Sequence, residues 1–413
     1  MRSSVKSLRT LLREGRRLKK QRKYLEALEI YQRAVQLDEN DFDAWANLGY
    51  ILNLLERYAE ALPVHERATQ LHPTSVPAWS NKGLNFIKLK RPDEALAAYE
   101  RATTLAPGLL NGWVNMAPIL INLGRFQDAI SACDRALKLD RKNVRAWATK
   151  GLALVFLDRC EEALALAERA RMLDQSHPTS WYTKAMALSK LGRFEEAVVD
   201  FDRAIALGAD DAVPWSNKAN ALRGLKRYDE VLAAADRALE LDPESVAAWI
   251  SKGIALNALQ RYDEALLASE QILKRDANNV SGYITGGVAL SKLGRHEKAL
   301  EVCEQALEVD PDSALAWNNK SSALNDLGRH DEALLAIERA LALAPTADFA
   351  WTSKAEILNS LGRFDEASQC ADQAITLDNL SAAAWNTKAK ALHGLGQVIE
   401  AQTEEQQARS LEP

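Results

Sequence analysis

Apolar residues along this chain recur with the 3.6-residue period of a helix, not the two-residue period of a strand. From Trp181 onward, Trp181, Ala185, Leu188 and Leu191 fall at i, i+4, i+7 and i+10, which predicts one amphipathic helix. Past Gly192, the residues Phe194, Ala197, Val198, Phe201, Ala204 and Leu207 fall at i, i+3, i+4, i+7, i+10 and i+13, which predicts a second. Glycine ends the first helix because it enters the left-handed conformation at no steric cost. Gly124, Gly192, Gly294, Gly328, Gly362 and Gly396 all stand at that place, and Pro73, Pro107, Pro243, Pro311 and Pro345 punctuate the loop after the second helix.

This helix pair repeats along the chain. Trp45, Trp79, Trp113, Trp147, Trp181, Trp215, Trp249, Trp317, Trp351 and Trp385 share one 34-residue phase, with Tyr283 in the one skipped place and Leu11 one step before Trp45. Twelve copies of one unit predict an all-α solenoid in which stacking supplies a core that no unit could build alone. Small residues recur where helices must approach closely. Four residues after each Trp stands Gly, Ala or Ser, sixteen after stands Ala except at Val231, and twenty-three after stands Ala except at Ile272. Leucine fills the places seven and ten after, with Phe86 the one exception.

At these residues the chain resembles the tetratricopeptide repeat family, whose pattern of Trp, Gly, aromatic, Ala, aromatic, Ala and Pro is matched by Trp79, Gly83, Phe86, Ala95, Tyr99, Ala102 and Pro107. The resemblance covers essentially the whole chain. It implies a right-handed superhelix of antiparallel helix pairs, the first helix of each pair lining a concave surface that holds partner proteins. One departure is systematic: three after the Trp, where the family prefers an apolar residue, stand Lys82, Lys150, Lys184, Lys218, Lys252, Lys320, Lys354 and Lys388. An acidic column on the second helices, Glu66, Glu100, Asp134, Glu168, Asp202, Asp236, Glu270, Glu304, Glu338 and Asp372, favours lysine stems lying on Trp with ammonium groups near carboxylates. The alternative is a basic stripe for phosphate backbone or acidic peptide.

Charge divides the chain. Residues 1–23 hold ten Lys or Arg against Glu14 alone, a segment of +9, so the overall −5 leaves −14 on the rest. Residues 1–7 are read as a basic extension and 8–413 as the solenoid, its last helix, from Val398, polar enough to act as a cap ending near Pro413. The basic start is either a solvated capping face or an arm for nucleic acid, acidic lipid or an acidic partner, and head-to-tail association with the acidic last unit is a further possibility.

With first helices inward, as the resemblance implies, residues one, two, five and eight after each Trp line the groove. Two after the Trp runs a polar ladder whose members Asn47, Asn81 and Asn115 stand in consecutive units. An amide both donates and accepts, which suits an extended peptide backbone. Apolar neighbours continue the face, and a contiguous exposed apolar patch marks a binding site. The candidate peptide-binding residues are therefore Asn47, Tyr50, Asn53, Asn81, Leu84, Ile87, Asn115, Pro118, Ile121, Leu152 and Val155. Pro118 in mid-helix forfeits the bond to the Val114 carbonyl, which a ligand could use. Tight curvature burying these side chains is the competing expectation.

The remaining chemistry points away from catalysis. Cys133, Cys160, Cys303 and Cys370 are too scattered for a disulfide framework or a zinc site, and no apolar run could span a membrane or serve as a leader, so a cytoplasmic protein is expected. His296 and His330 stand where other units hold an aromatic residue, and no phosphate loop or nucleophile motif interrupts the repeats. The expectation is a non-enzymatic scaffold without metal or cofactor that binds a protein or peptide. The alternatives are nucleic-acid binding through the basic start and the lysines, and a recruiting arm of a larger enzyme.

Overall fold

The computed structural model describes residues 2–411, with side chains from residue 7 onward; Met1 of the expected extension and Glu412 and Pro413 of the expected cap lie outside the described residues. All 24 elements among these residues are α-helices. They cluster as two compact units, Met1–Ala209 and Asp210–Pro413.

The first unit contains α1 (Arg2–Lys20), α2 (Tyr24–Leu37), α3 (Phe42–Leu54), α4 (Tyr58–Leu71), α5 (Val76–Lys88), α6 (Pro92–Leu105), α7 (Leu110–Asn122), α8 (Phe126–Leu139), α9 (Val144–Phe156), α10 (Cys160–Leu173), α11 (Pro178–Lys190) and α12 (Phe194–Ala206). The second contains α13 (Ala212–Gly224), α14 (Tyr228–Leu241), α15 (Val246–Ala258), α16 (Tyr262–Arg275), α17 (Val280–Lys292), α18 (His296–Val309), α19 (Ala314–Asp326), α20 (His330–Leu343), α21 (Asp348–Ser360), α22 (Phe364–Leu377), α23 (Ala382–Gly394) and α24 (Val398–Leu411). Residues 2–7, read as an extension, are the opening of α1, which is 19 residues long.

Each helix begins and ends for a local reason. The first helix of a pair is capped by a short polar side chain: Asp41 accepts from the Ala44 amide at 2.7 Å, Asn143 from Ala146 at 2.9 Å and Asn279 from Gly282 at 3.1 Å. Nine of the second helices have arginine at that place and an acid three residues on, bridged as Arg57 to Glu60 at 2.6 Å, Arg193 to Glu196 at 2.7 Å and Arg363 to Glu366 at 2.6 Å, whereas α18 has Arg295 with Lys298. The acid also sits where the helix dipole favours negative charge. Between the two helices one residue is always left-handed. Six times it is the glycine already noted, and six times it is Arg22, Glu56, Lys90, Asp158, Lys226 or Gln260, at φ of 56 to 59°.

The tryptophans tie the turns between pairs. Nine indoles donate Nε1–H to the carbonyl six residues upstream, from Trp45 to Glu39 at 2.9 Å through Trp385 to Asn379 at 3.0 Å. Tyr283 performs the same task with its hydroxyl, which donates to the Ala277 carbonyl at 2.9 Å. Trp215 donates instead to the Asp210 carboxylate at 2.8 Å.

The core is as small-sided as the spacing demands. Ala61, Ala95, Ala129, Ala163, Ala197, Val231, Ala265, Ala299, Ala333, Ala367 and Ala401 are all fully buried. Glycine answers two kinds of neighbour: a Cβ on Gly83 would meet the Tyr99 ring of its own pair at 2.8 Å, and one on Gly253 would meet Thr285 of the following pair at 2.7 Å. Within the first unit α1 touches α3, α3 touches α5, α7 touches α9 and α9 touches α11, while successive second helices stay apart; in the second unit α13, α15, α17, α19, α21 and α23 form the same chain of contacts. The first helices of each unit therefore line its inner side, and α5 and α7 are the neighbouring pair in the first unit that approach least closely.

Candidate functional site

The candidate groove residues separate by accessibility. Tyr50 on α3 and Leu84 on α5 are 40% and 39% exposed. Asn47, Asn53, Asn81, Ile87, Asn115, Pro118 and Leu152 are half-buried. Ile121 and Val155 correct the expectation: they are 8% and 0% exposed and belong to the core that α7 and α9 share with α5, so they do not line an open surface. The cause is the packing of α9 between α7 and α11, closest on the α11 side, where Thr183 reaches the Ala148 carbonyl. Val114 is also buried, and α7 runs through Pro118 without ending.

Two of the three ladder asparagines are engaged by the protein itself. Asn47 donates to the Asp43 carbonyl at 2.7 Å and accepts from Lys19 Nζ at 2.9 Å. Asn115 donates to the Tyr99 hydroxyl at 3.3 Å and accepts from Arg145 Nη1 at 3.0 Å. Asn53 accepts from Asn85 at 2.8 Å, leaving its own amide nitrogen without a partner. No hydrogen bond occupies Asn81 among the described residues. Lys19 and Arg145 are therefore neighbours of the candidate residues that the sequence reading missed. The phase gives Lys19 away, since it stands eight after Leu11; Arg145, two before a Trp, carries no such signal.

Further along, the polar ladder turns inward. Thr149, Thr183, Ser251, Thr285 and Thr387 are buried, and Thr183 donates across to the Ala148 carbonyl at 3.1 Å. A short β-hydroxyl can satisfy itself on a carbonyl where a longer amide would hold the helices apart.

The lysine ladder is neutralised. Lys150 reaches Asp134 at 2.6 Å, Lys252 Asp236 at 2.6 Å, Lys320 Glu304 at 2.9 Å, Lys354 Glu338 at 3.4 Å and Lys388 Asp372 at 2.9 Å. Lys82, Lys218, Lys252, Lys320 and Lys388 also lie over the Trp three residues before them, at 5.2 to 5.8 Å. Lys184 bridges Glu168 at 3.2 Å and the buried Asp200 at 3.0 Å, and burial raises the Asp200 carboxyl against the pull of that lysine.

The nucleophiles are poor ones. Burial pushes the Cys133 and Cys303 thiols up to about 12, and Cys160 and Cys370 also rise. His330 Nδ1 hydrogen-bonds the Asn325 Oδ1 at 2.9 Å and His296 lies 3.4 Å from Asp326. Among the described residues no cluster of His, Cys, Asp and Glu is arranged to hold a metal, and no helix is long and apolar enough to cross a membrane.

Comparison with known proteins agrees with the geometry. Sequence families described as tetratricopeptide repeat match residues 12–76, 216–280 and 285–348, then 86–153 and 350–379. The chain belongs to the tetratricopeptide repeat family. A further family, described as anaphase-promoting complex, cyclosome, subunit 3, matches residues 122–204. Among solved structures the chain is similar to one titled "Crystal structure of APC/C hetero-tetramer Cut9-Hcn1", at 13% identity and a TM-score of 0.56, over 98% of this chain and 94% of that one. It is also similar to "Crystal structure of YrrB: a TPR protein with an unusual peptide-binding site", at 24% identity and a TM-score of 0.40, over 46% of this chain and 97% of that one. No curated protein sequence matches the chain. As a tetratricopeptide repeat protein it is a protein-interaction scaffold, and protein or peptide partners are what such a scaffold takes.

Proposed function

We propose that this tetratricopeptide repeat protein is a non-catalytic scaffold that binds an extended segment of a partner on the inner face of α3, α5 and α7. The observation that carries the reading is the pair Tyr50 and Leu84, large apolar side chains near 40% exposed, beside the Asn81 amide that no protein group occupies. An extended chain laid across these helices would bury the two side chains and give its backbone to Asn81. Asn47 and Asn115 would join only if Lys19 and Arg145 were drawn away. The chemistry is that of recognition, since the buried thiols are protonated throughout the neutral range. A cytoplasmic location belongs to the same reading, supported by four cysteines that are free and buried.

The nucleic-acid reading of the lysine ladder loses support, because carboxylates already sit on those lysines. Head-to-tail association is also disfavoured: of the acids on α24, Glu404 is held by Lys388 at 2.8 Å and Glu405 by His393 at 3.0 Å.

The test is selection of peptides from a random displayed library on the full chain. Selected peptides should lose about tenfold or more in affinity when Asn81→Ala is combined with Leu84→Glu. They should bind unchanged when Met172→Glu places the same charge on the exposed side of α10. Peptides indifferent to the α5 changes, or equally sensitive to Met172→Glu, would refute the reading.

A further inference from the structure

We propose that a basic cleft between α1 and the start of α3 takes the acidic part of the partner segment, so that the ligand is a peptide carrying a run of carboxylates beside its apolar residues. This rests on the groove reading above and names the chemistry of its partner. The cleft, about 540 Å³, is lined by Arg9, Leu12, Arg13, Arg16, Arg17 and Lys20 of α1 and by Asp41 and Asp43.

Five cations therefore face two carboxylates, and both acids have other work: Asp41 caps α3 and Asp43 bridges Arg16 at 2.7 Å. Arg9, Arg13, Arg17 and Lys20 are exposed and form no ion pair among the described residues. This contrasts with most of the lysine ladder and with nine of the arginines that open second helices, which are matched with acids. Lys19, next to Lys20 in sequence, feels the excess: burial and then Arg16 lower its pKa. A ligand bringing carboxylates would relieve that crowding.

The cations also have the right spacing. Arg9, Arg13 and Arg17 stand one helical turn apart, about 6 Å, which is close to the repeat of alternate side chains along an extended peptide, about 6.6 Å. The groove lies close by on the same helices: Lys19, next to the cleft residue Lys20 in sequence, bonds Asn47 through its ammonium at 2.9 Å and lies 4.9 Å from the Tyr50 ring centre. Polynucleotide is the poorer fit, because the cleft has the size of a small-ligand pocket and the residues beyond the first 23 carry −14.

The experiment uses the full chain and fluorescence anisotropy with labelled probes: a peptide with a glutamate run followed by leucine and asparagine, its glutamine counterpart, and oligothymidylate. Phosphatidylserine vesicles are tested by co-sedimentation. The glutamate peptide should bind and the glutamine peptide should not. Arg13→Glu with Arg17→Glu should weaken binding about tenfold or more, while Arg33→Glu on the exposed side of α2 should leave it unchanged. All variants are checked for unchanged helical circular dichroism.

Absence of glutamate-peptide binding, equal binding of the glutamine peptide, indifference to the double reversal, or tighter and equally sensitive binding of oligothymidylate or vesicles would each overturn the proposal. Leu84→Glu separates the two readings. Binding lost with the double reversal but kept with Leu84→Glu supports the cleft and removes the groove. Binding lost with Leu84→Glu but kept with the double reversal removes the cleft alone.

Discussion

His65 makes the stability of the α3–α4 pair depend on pH in a way that can be worked out from its surroundings. It is fully buried at the place where neighbouring pairs hold Tyr31, Tyr99 and Phe201, and neither ring nitrogen has a hydrogen-bond partner. It fits because the residue facing it is Gly49, on which a Cβ would lie 2.5 Å from the ring. Burial, and secondarily the charge of Lys82, lowers its pKa from 6.5 to about 4. A histidine whose folded pKa is depressed is stabilising above its unfolded value, and that contribution is lost as pH falls from about 6.5 toward 4, because only the unfolded chain then takes up the proton. Between pH 7 and pH 5 the loss comes to about 2 kcal/mol, a factor of about thirty in the local opening equilibrium. An array of stacked pairs does not unfold as one step, so the assay is amide exchange read on Phe42–Leu71 and corrected for the intrinsic rate. The wild-type protein should lose about thirtyfold protection there between the two pH values, and His65→Phe should hold its protection. Parallel pH profiles for the two proteins would refute the reasoning.

Four further outcomes follow from single contacts. Tyr283→Phe removes the hydroxyl bond to the Ala277 carbonyl and should cost about 1 kcal/mol of local stability in α17, measured by amide exchange. Lys90→Gly and Gln260→Gly, at left-handed positions where other pairs already have glycine, should raise stability by about 1 kcal/mol each in chemical denaturation. Pro118→Ala restores a helix N–H inside α7 and should stabilise that helix by up to about 3 kcal/mol; faster exchange in Leu110–Asn122 would show that the site relies on the proline. Cys133 and Cys303 should resist iodoacetamide at pH 8 in the folded protein and react once it is denatured, as mass spectrometry of the labelled peptides would show.

The architecture was legible because one physical requirement recurs in phase. Alanines sixteen and twenty-three residues after the Trp mark where helices pack closely, and even the exceptions, Val231 at the first place and Ile272 at the second, are fully buried. The lysine and acid columns were legible for the same reason, both being written once per repeat. What the indole donates to was not, since the spacing fixes where Trp sits but not that its N–H ties the turn six residues back. The arginine and acid at the start of nine of the second helices left a signal in the sequence that the groove argument passed over.

The site was legible only in part. Position eight after the Trp is open at Asn53 and closed at Val155, and that difference depends on how closely successive first helices approach, a property of three helices at once. The amide ladder was visible as one column of the repeat, but the capture of Asn47 by Lys19 and of Asn115 by Arg145 needed side-chain reach across about 30 residues of sequence.

One measurement bears most directly on the claim that the inner face of the first unit receives a partner: amide exchange over the whole chain, with and without a peptide selected for binding. The account predicts new protection in Phe42–Leu54, Val76–Lys88 and Leu110–Asn122, with α4, α6 and α8 unchanged. Protection on α4, α6 and α8 instead, or spread evenly along the chain, would contradict it.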